Sequence, residues 1–168
     1  MRISMILVLM LSLAVDASAG YRGALVRKAL VNGVPVNQAV PNGTLPYVQA
    51  TFNEAVYDTD GLFDAATSSF VIPAGISYAR PYAQAVWSAM SPGVRQIVIL
   101  RKRTGETTWS FYTGSPVIFG VMGDQPLPGI VVPVQEGDRF ALFPYQDSGT
   151  TVYLSGGTGT VFGIEVWP

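Results

Sequence analysis

From residue 24 onward the chain alternates between apolar and polar positions. Residues 78–87 set Tyr78, Arg80, Tyr82, Gln84 and Val86 on one face and Ala79, Pro81, Ala83, Ala85 and Trp87 on the other. That two-residue period belongs to a strand with one buried face. Residues 161–167 repeat it: Phe162, Ile164 and Val166 face one way, Val161, Gly163, Glu165 and Trp167 the other. Residues 47–52 set Tyr47, Gln49 and Thr51 against Val48, Ala50 and Phe52, and 24–30 alternates around Arg27 and Lys28. Residues 94–100 are an apolar-leaning run, as expected of a strand covered on both faces. Further short strands are predicted at 69–72, 108–112, 117–121, 130–134, 139–143 and 152–154.

Turn residues separate these runs. Asn32-Gly33 and Asn42-Gly43 are hairpin-type signals, and Pro73-Ala74-Gly75 and Glu136-Gly137-Asp138 close other strands. No segment sustains a helical period. About ten short strands, spaced at roughly 8–12 residues, predict an all-β sandwich or barrel. A length of 168 residues suits one domain, with no linker or repeat after residue 20.

Composition narrows the chemistry. Charged residues make up 12% of the chain, against about 25% in an average soluble protein. Such a deficit fits a charge-depleted oligomer interface, and equally a Thr/Ser/Gly-rich β surface. A net charge of −1 gives no reason to expect nucleic acid or an anionic membrane as partner. Cysteine and histidine are both absent. That removes disulfides, thiol nucleophiles, Ser-His-Asp catalysis and histidine metal sites.

The first twenty residues stand apart. Arg2 precedes an apolar stretch over 3–15 and then Asp16-Ala17-Ser18-Ala19-Gly20, the pattern of a secretory signal cleaved after Ala19. A retained apolar tail that anchors the protein in an assembly is the other reading, as is a start site lying upstream of a domain that begins near Tyr21. The expected division is an N-terminal segment 1–20 and a β domain 21–168.

Candidate chemistry is sparse. Glu54, Asp58, Asp60 and Asp64 space carboxylates around Gly61. Asp58, Asp60 and Asp64 are the calcium candidates, although the further alternating ligands and closing Glu of a full calcium loop are missing. Turn chemistry alone accounts for these residues. The pairs Asp58/Asp60 and Glu136/Asp138 lie in turns, with no apolar pocket to set up acid–base catalysis of glycoside hydrolysis. Residues 155–160 (SGGTGT) lack the Lys and the following helix of a phosphate loop. Arg101-Lys102-Arg103 reads as a solvated hairpin tip. Asn42-Gly43-Thr44 matches a glycosylation sequon. Tyr78, Tyr82, Trp87, Trp109, Phe111 and Tyr112 suit a carbohydrate platform, or a core or subunit interface.

Seven ordered pieces carry a family resemblance. They are Ala24-Leu25-Val26-Arg27-Lys28, Asn37-Gln38-Ala39-Val40-Pro41-Asn42, the turn 57–64 (YDTDGLFD), Phe70-Val71-Ile72-Pro73-Ala74-Gly75, Tyr82-Ala83-Gln84-Ala85-Val86-Trp87, Gly137-Asp138 and Phe162-Gly163-Ile164. In that order they resemble the complement C1q/tumour necrosis factor-like jelly-roll head in its bacterial and phage form, without a collagen stalk. The resemblance implies a ten-stranded jelly-roll sandwich that assembles as a compact homotrimer through an aromatic and apolar interface. Tyr82, Trp87, Phe140, Phe162 and Ile164 are then candidates for interface or core. It implies no catalysis and no required cofactor, with calcium bound in some members. The expected role is a structural or binding head on a phage virion surface (spike, fibre tip or decoration), partnered by capsid or tail proteins or a host receptor. The alternative is a secreted bacterial protein that binds a cell-surface ligand or glycan. A carbohydrate-active enzyme is a third class, for which no acid/base pair is evident.

Overall fold

The computed structural model describes residues 22–43, 47–87, 92–119, 123–157 and 159–168. The N-terminal segment 1–20 and its expected cleavage site lie outside them. The chain runs β1 (Gly23–Arg27), β2 (Leu30–Val31), β3 (Val34–Pro35), β4 (Gln38–Val40), β5 (Glu54–Asp58), β6 (Phe63–Asp64), β7 (Ser69–Val71) and β8 (Tyr78–Val86). It continues through β9 (Val94–Lys102), β10 (Ser110–Gly114), β11 (Ile118–Phe119), β12 (Asp124–Leu127), β13 (Val132–Pro133), β14 (Arg139–Gln146), β15 (Val152–Leu154) and β16 (Val161–Trp167).

Two antiparallel sheets carry the fold. The first has the order β12-β8-β16-β1-β5, with β13 also on β8; the second has the order β10-β9-β14-β7-β6, with β11 also on β9. The chain crosses between the sheets from β5 to β6, β7 to β8, β8 to β9, β11 to β12 and β13 to β14, and from β14 by way of β15 to β16. Two small ladders, β15-β4 and β2-β3, sit beside them. In the β2-β3 hairpin, Asn32 and Gly33 take φ of 53° and 78°, the left-handed pair that a tight hairpin turn requires.

Between the sheets lies one apolar core, and the alternation predicts its members. Ala79, Ala83, Ala85 and Trp87 from one run and Phe162, Ile164 and Val166 from the other are all buried in it. Phe162 is its centre: its ring lies 4.6 Å from Phe70 and 5.9 Å from Phe52. The run 94–100 is covered on both faces as expected. Ile97 and Ile99 enter this core, while Val98 and Leu100 join Ala141 and Phe143 in a second cluster on the far side of the sheet, under Tyr47 and Trp109.

Three differences from the pattern have physical causes. Residues 47–52 form no strand, because side chains satisfy much of their backbone: Gln38 donates to Gln49 O (2.7 Å) and accepts from Thr51 N (2.8 Å). Ala50 N makes a single bond to Leu142 O. The strand begins instead at Glu54, inside what reads as an acidic turn. Asp124–Leu127, where no strand is expected, is a strand despite Pro126. It closes the end of its sheet, where a missing N–H costs no ladder bond. Last, β14 continues through Pro144. The carbonyls of Leu142 and Gln146 accept from Ala50 and Gly43, so Pro144, of the same parity, also faces that loop and not β9. Among the described residues sixteen strands stand where about ten are expected: β2 breaks off from the first run, while β3, β5, β6 and β12 form in segments that read as turn or loop.

Candidate interaction face

The acidic turn is built to hold backbone. Asp58 accepts from Leu62 N (2.8 Å), Phe63 N (2.9 Å) and Asp60 N (3.4 Å), folding the chain around Gly61 at φ +67°. Asp60 pairs with Arg22 at 2.6 Å, and that hydrogen bond holds its carboxyl below the usual range. Asp64 accepts from Thr67 Oγ1 (2.7 Å), Ala66 N (3.1 Å) and Arg139 (3.0 Å). The Thr67 hydroxyl and then Arg139 lower its pKa as well. The three calcium candidates thus serve three separate tasks. Among the described residues no group of three or more acidic side chains is placed to hold a metal.

Asp138 acts alike at the Gly137-Asp138 turn. Fully buried, it accepts from Arg101 (2.5 Å), Thr104 N (3.0 Å) and Gln135 N (3.0 Å). Arg101 is therefore not a solvated tip residue: it is ion-paired and its guanidinium lies 5.7 Å from the Phe140 ring.

Trp87, Phe140, Phe162 and Ile164 are buried within the single chain. Trp87 donates through Nε1 to Gln125 (3.1 Å), whose amide donates to Arg95 O and Pro116 O. Tyr82 differs. It lies on the outer face of the first sheet, half-buried.

That outer face has a distinct chemistry. The register aligns Tyr57, Leu25, Gly163 and Tyr82 across four neighbouring strands. The two tyrosines lean toward each other over Leu25 and Gly163, and their hydroxyls meet at 3.3 Å. Gly163 makes this possible, since a Cβ there would enter the Tyr82 ring. Arg27 pairs with its cross-strand neighbour Glu54 at 2.5 Å, and Arg80 with its neighbour Glu165. These pairs offset both arginines, and Asp124, exposed on the same side of the end strand β12, adds one carboxylate. An apolar cleft of ≈ 510 Å³ lies between Tyr82, Arg80 and the Pro126-Leu127-Pro128 segment. Tyr78 and Trp167, register partners at the end of the same face, are 49% and 39% exposed.

Nothing in the sequence pattern singles out Lys28, which is 3% exposed. Its Nζ donates to Thr51 O (2.6 Å), Thr51 Oγ1 and Gln38 Oε1 (3.2 Å each), and burial pushes its pKa down to about 8.

No protein-family model matches the chain, and no curated protein matches it in sequence. Solved structures do match. An Eiger TNF from S. frugiperda superposes with a TM-score of 0.62 at 8% identity, over 88% of this chain and 93% of that one. Murine APRIL at pH 5.0 gives 0.58 at 9% identity, over 87% and 100%. The fold is that of a tumour necrosis factor-like jelly roll. In this jelly roll the tyrosine face belongs to the sheet that holds β1, β8 and β16, and the acidic turn lies at that sheet's edge, on β5.

Proposed function

We propose that the chain is a self-associating, non-catalytic binding head of the C1q/TNF-like type that forms a homotrimer through the outer face of its first sheet. One observation carries this reading: an aromatic, charge-compensated face on an otherwise complete sandwich. Interface cores are enriched in tyrosine and tryptophan and depleted of unpaired charge. Here the arginines facing outward are matched by carboxylates on the next strand. The low overall charge and the tumour necrosis factor-like fold support the same assembly. Multi-angle light scattering of the purified domain tests it. Three times the chain mass at micromolar concentration is expected, and a monomer would refute it.

The proposed setting is the surface of a phage particle, as spike, fibre tip or decoration, in adsorption or particle stability. The resemblance of the ordered motifs to phage-type heads supports that setting. A secreted bacterial protein that binds a cell-surface ligand or glycan is the second reading, favoured by the signal-like residues 2–19. N-terminal sequencing separates them: a chain that starts at Gly20 in culture medium excludes the particle, and an intact Met1 excludes the signal peptide.

A further inference from the structure

We propose that Asn32 is a site of spontaneous covalent modification, where the main chain attacks its own side chain and turns asparagine into aspartate and isoaspartate. The reaction is separate from the binding role above: it needs water, and no partner or enzyme.

The sequence holds two Asn-Gly steps, Asn32-Gly33 and Asn42-Gly43. A following glycine leaves the asparagine side chain most open to main-chain attack, because it brings no Cβ. The fold treats the two steps differently. At the second, Asn42 Oδ1 accepts from Gly149 N (2.6 Å) and Gly43 N donates to Gln146 O (2.8 Å). Both reacting groups are thus tied to the end of β14 and the loop after it. Asn37 and Asn53 are held alike, accepting from Gly156 N (2.9 Å) and Ala29 N (2.7 Å). Among the described residues Asn32 is the one asparagine whose side chain accepts no such bond, and the Gly33 amide has no acceptor. Asn32 is exposed at the tip of the β2-β3 hairpin, which pairs two residues with two and joins neither large sheet. So short a ladder opens locally at little cost, which frees the turn to bring Gly33 N onto Asn32 Cγ.

The steps balance without oxidant or cofactor. Gly33 N forms a bond to Asn32 Cγ, the Cγ–Nδ2 bond breaks, and ammonia leaves with the proton that Gly33 N gives up. Water then opens the cyclic imide at either of its C–N bonds. Opening at Cγ leaves aspartate; opening at the main-chain carbonyl leaves isoaspartate, with the main chain rerouted through Cβ. Either product puts a carboxylate into residues 29–37, a stretch with no charged side chain. Isoaspartate also adds an atom to the main chain of a tight turn, and the pairing of Val31 with Val34 depends on that turn's length. The hairpin's exposed apolar side chains, Leu30, Val31 and Val34, then lose their fixed register.

Ageing the intact protein in heavy-oxygen water at physiological temperature, followed by peptide mass spectrometry, tests this. In the folded protein Asn32 should convert faster than Asn42 by about tenfold or more, as expected where two hydrogen bonds must break first at Asn42. In denaturant both steps lose their surroundings, and the two rates should converge. Isoaspartyl methyltransferase should label the aged wild type but not aged Asn32→Gly, a substitution that keeps the left-handed turn. Equal rates at Asn32 and Asn42 in the folded protein, or conversion at neither, overturns the proposal. Tyr82→Glu, designed to be monomeric, is aged alongside. Protection of Asn32 in the wild type with conversion in that variant would mean that the assembly covers the hairpin, and would equally overturn the site. Light scattering of the same preparations reports self-association independently, so failure of one reading leaves the other measurable.

Discussion

At the scale of single residues, a buried lysine and a half-buried tyrosine give the molecule a pH signature. Lys28 has a native pKa of about 8, below its unfolded value of about 10.4. Between those values the native state has released its proton while the unfolded state keeps one, so stability rises with pH. Tyr112 behaves oppositely. Burial raises its hydroxyl to about 12, above an unfolded value of about 10. From pH 10 upward the unfolded state loses that proton first, and stability falls. Urea midpoints should therefore climb from pH 8, peak near pH 10 and decline. Lys28→Met should flatten the climb and Tyr112→Phe the decline, whereas an unchanged profile in both variants would place the titrations elsewhere. The carboxylates make a second residue-scale case. Asp58 accepts from three part-buried backbone N–H groups, one of them at 3.4 Å, so Asp58→Ala should cost about 2–3 kcal/mol in chemical denaturation, at about 1 net for each hydrogen bond that water only partly replaces. Because Asp58, Asp60 and Asp64 are engaged separately, added calcium should leave the wild-type melting temperature unchanged.

At the scale of strands, the alternation was legible where one face meets the core and illegible where the backbone is satisfied in another way. Strand β16 matches its expected limits and both of its faces, because Phe162, Ile164 and Val166 have a single apolar layer to enter. The segment 47–52 alternates equally well and is no strand, because Gln38 takes the place of a ladder partner. The same amide side chain serves Lys28, a long-range arrangement invisible to local pattern. The tyrosine pair was half legible: residue 82 has the right parity for an outer face, but its meeting with Tyr57 depends on the strand order β5-β1-β16-β8, which no local spacing encodes. The element scale also carries a stability prediction. Phe162 is fully buried between Phe52 and Phe70, so Phe162→Ala should destabilise by about 3–5 kcal/mol. A near-neutral value in equilibrium unfolding would contradict the assigned core.

At the scale of the whole molecule, the two sheets turn different chemistry outward. The first sheet turns its aromatic face outward with the charges paired in place, and the second keeps an aromatic cluster beneath its end strand. This separation makes the assembly reading testable apart from the fold. Tyr82 is half-buried on the outer face and its ring crosses Gly163, so a side chain at 163 displaces the ring without touching the core. Gly163→Val keeps a β-branched residue in a strand position and leaves Phe162 and Ile164 inside. If the tyrosine face is the subunit contact, this variant should sediment as a monomer at concentrations where the wild type is trimeric. Each chain should stay folded by far-ultraviolet circular dichroism. Tyr82→Glu should do the same by burying an unpaired charge in the contact, an arrangement that costs several kcal/mol, about 3–5 for a broken buried pair. A trimer that survives both substitutions would move the interface to another face of the sandwich. Loss of folding in Gly163→Val alone, with Tyr82→Glu a folded monomer, would show that the ring's seat on Gly163 also stabilises the sheet.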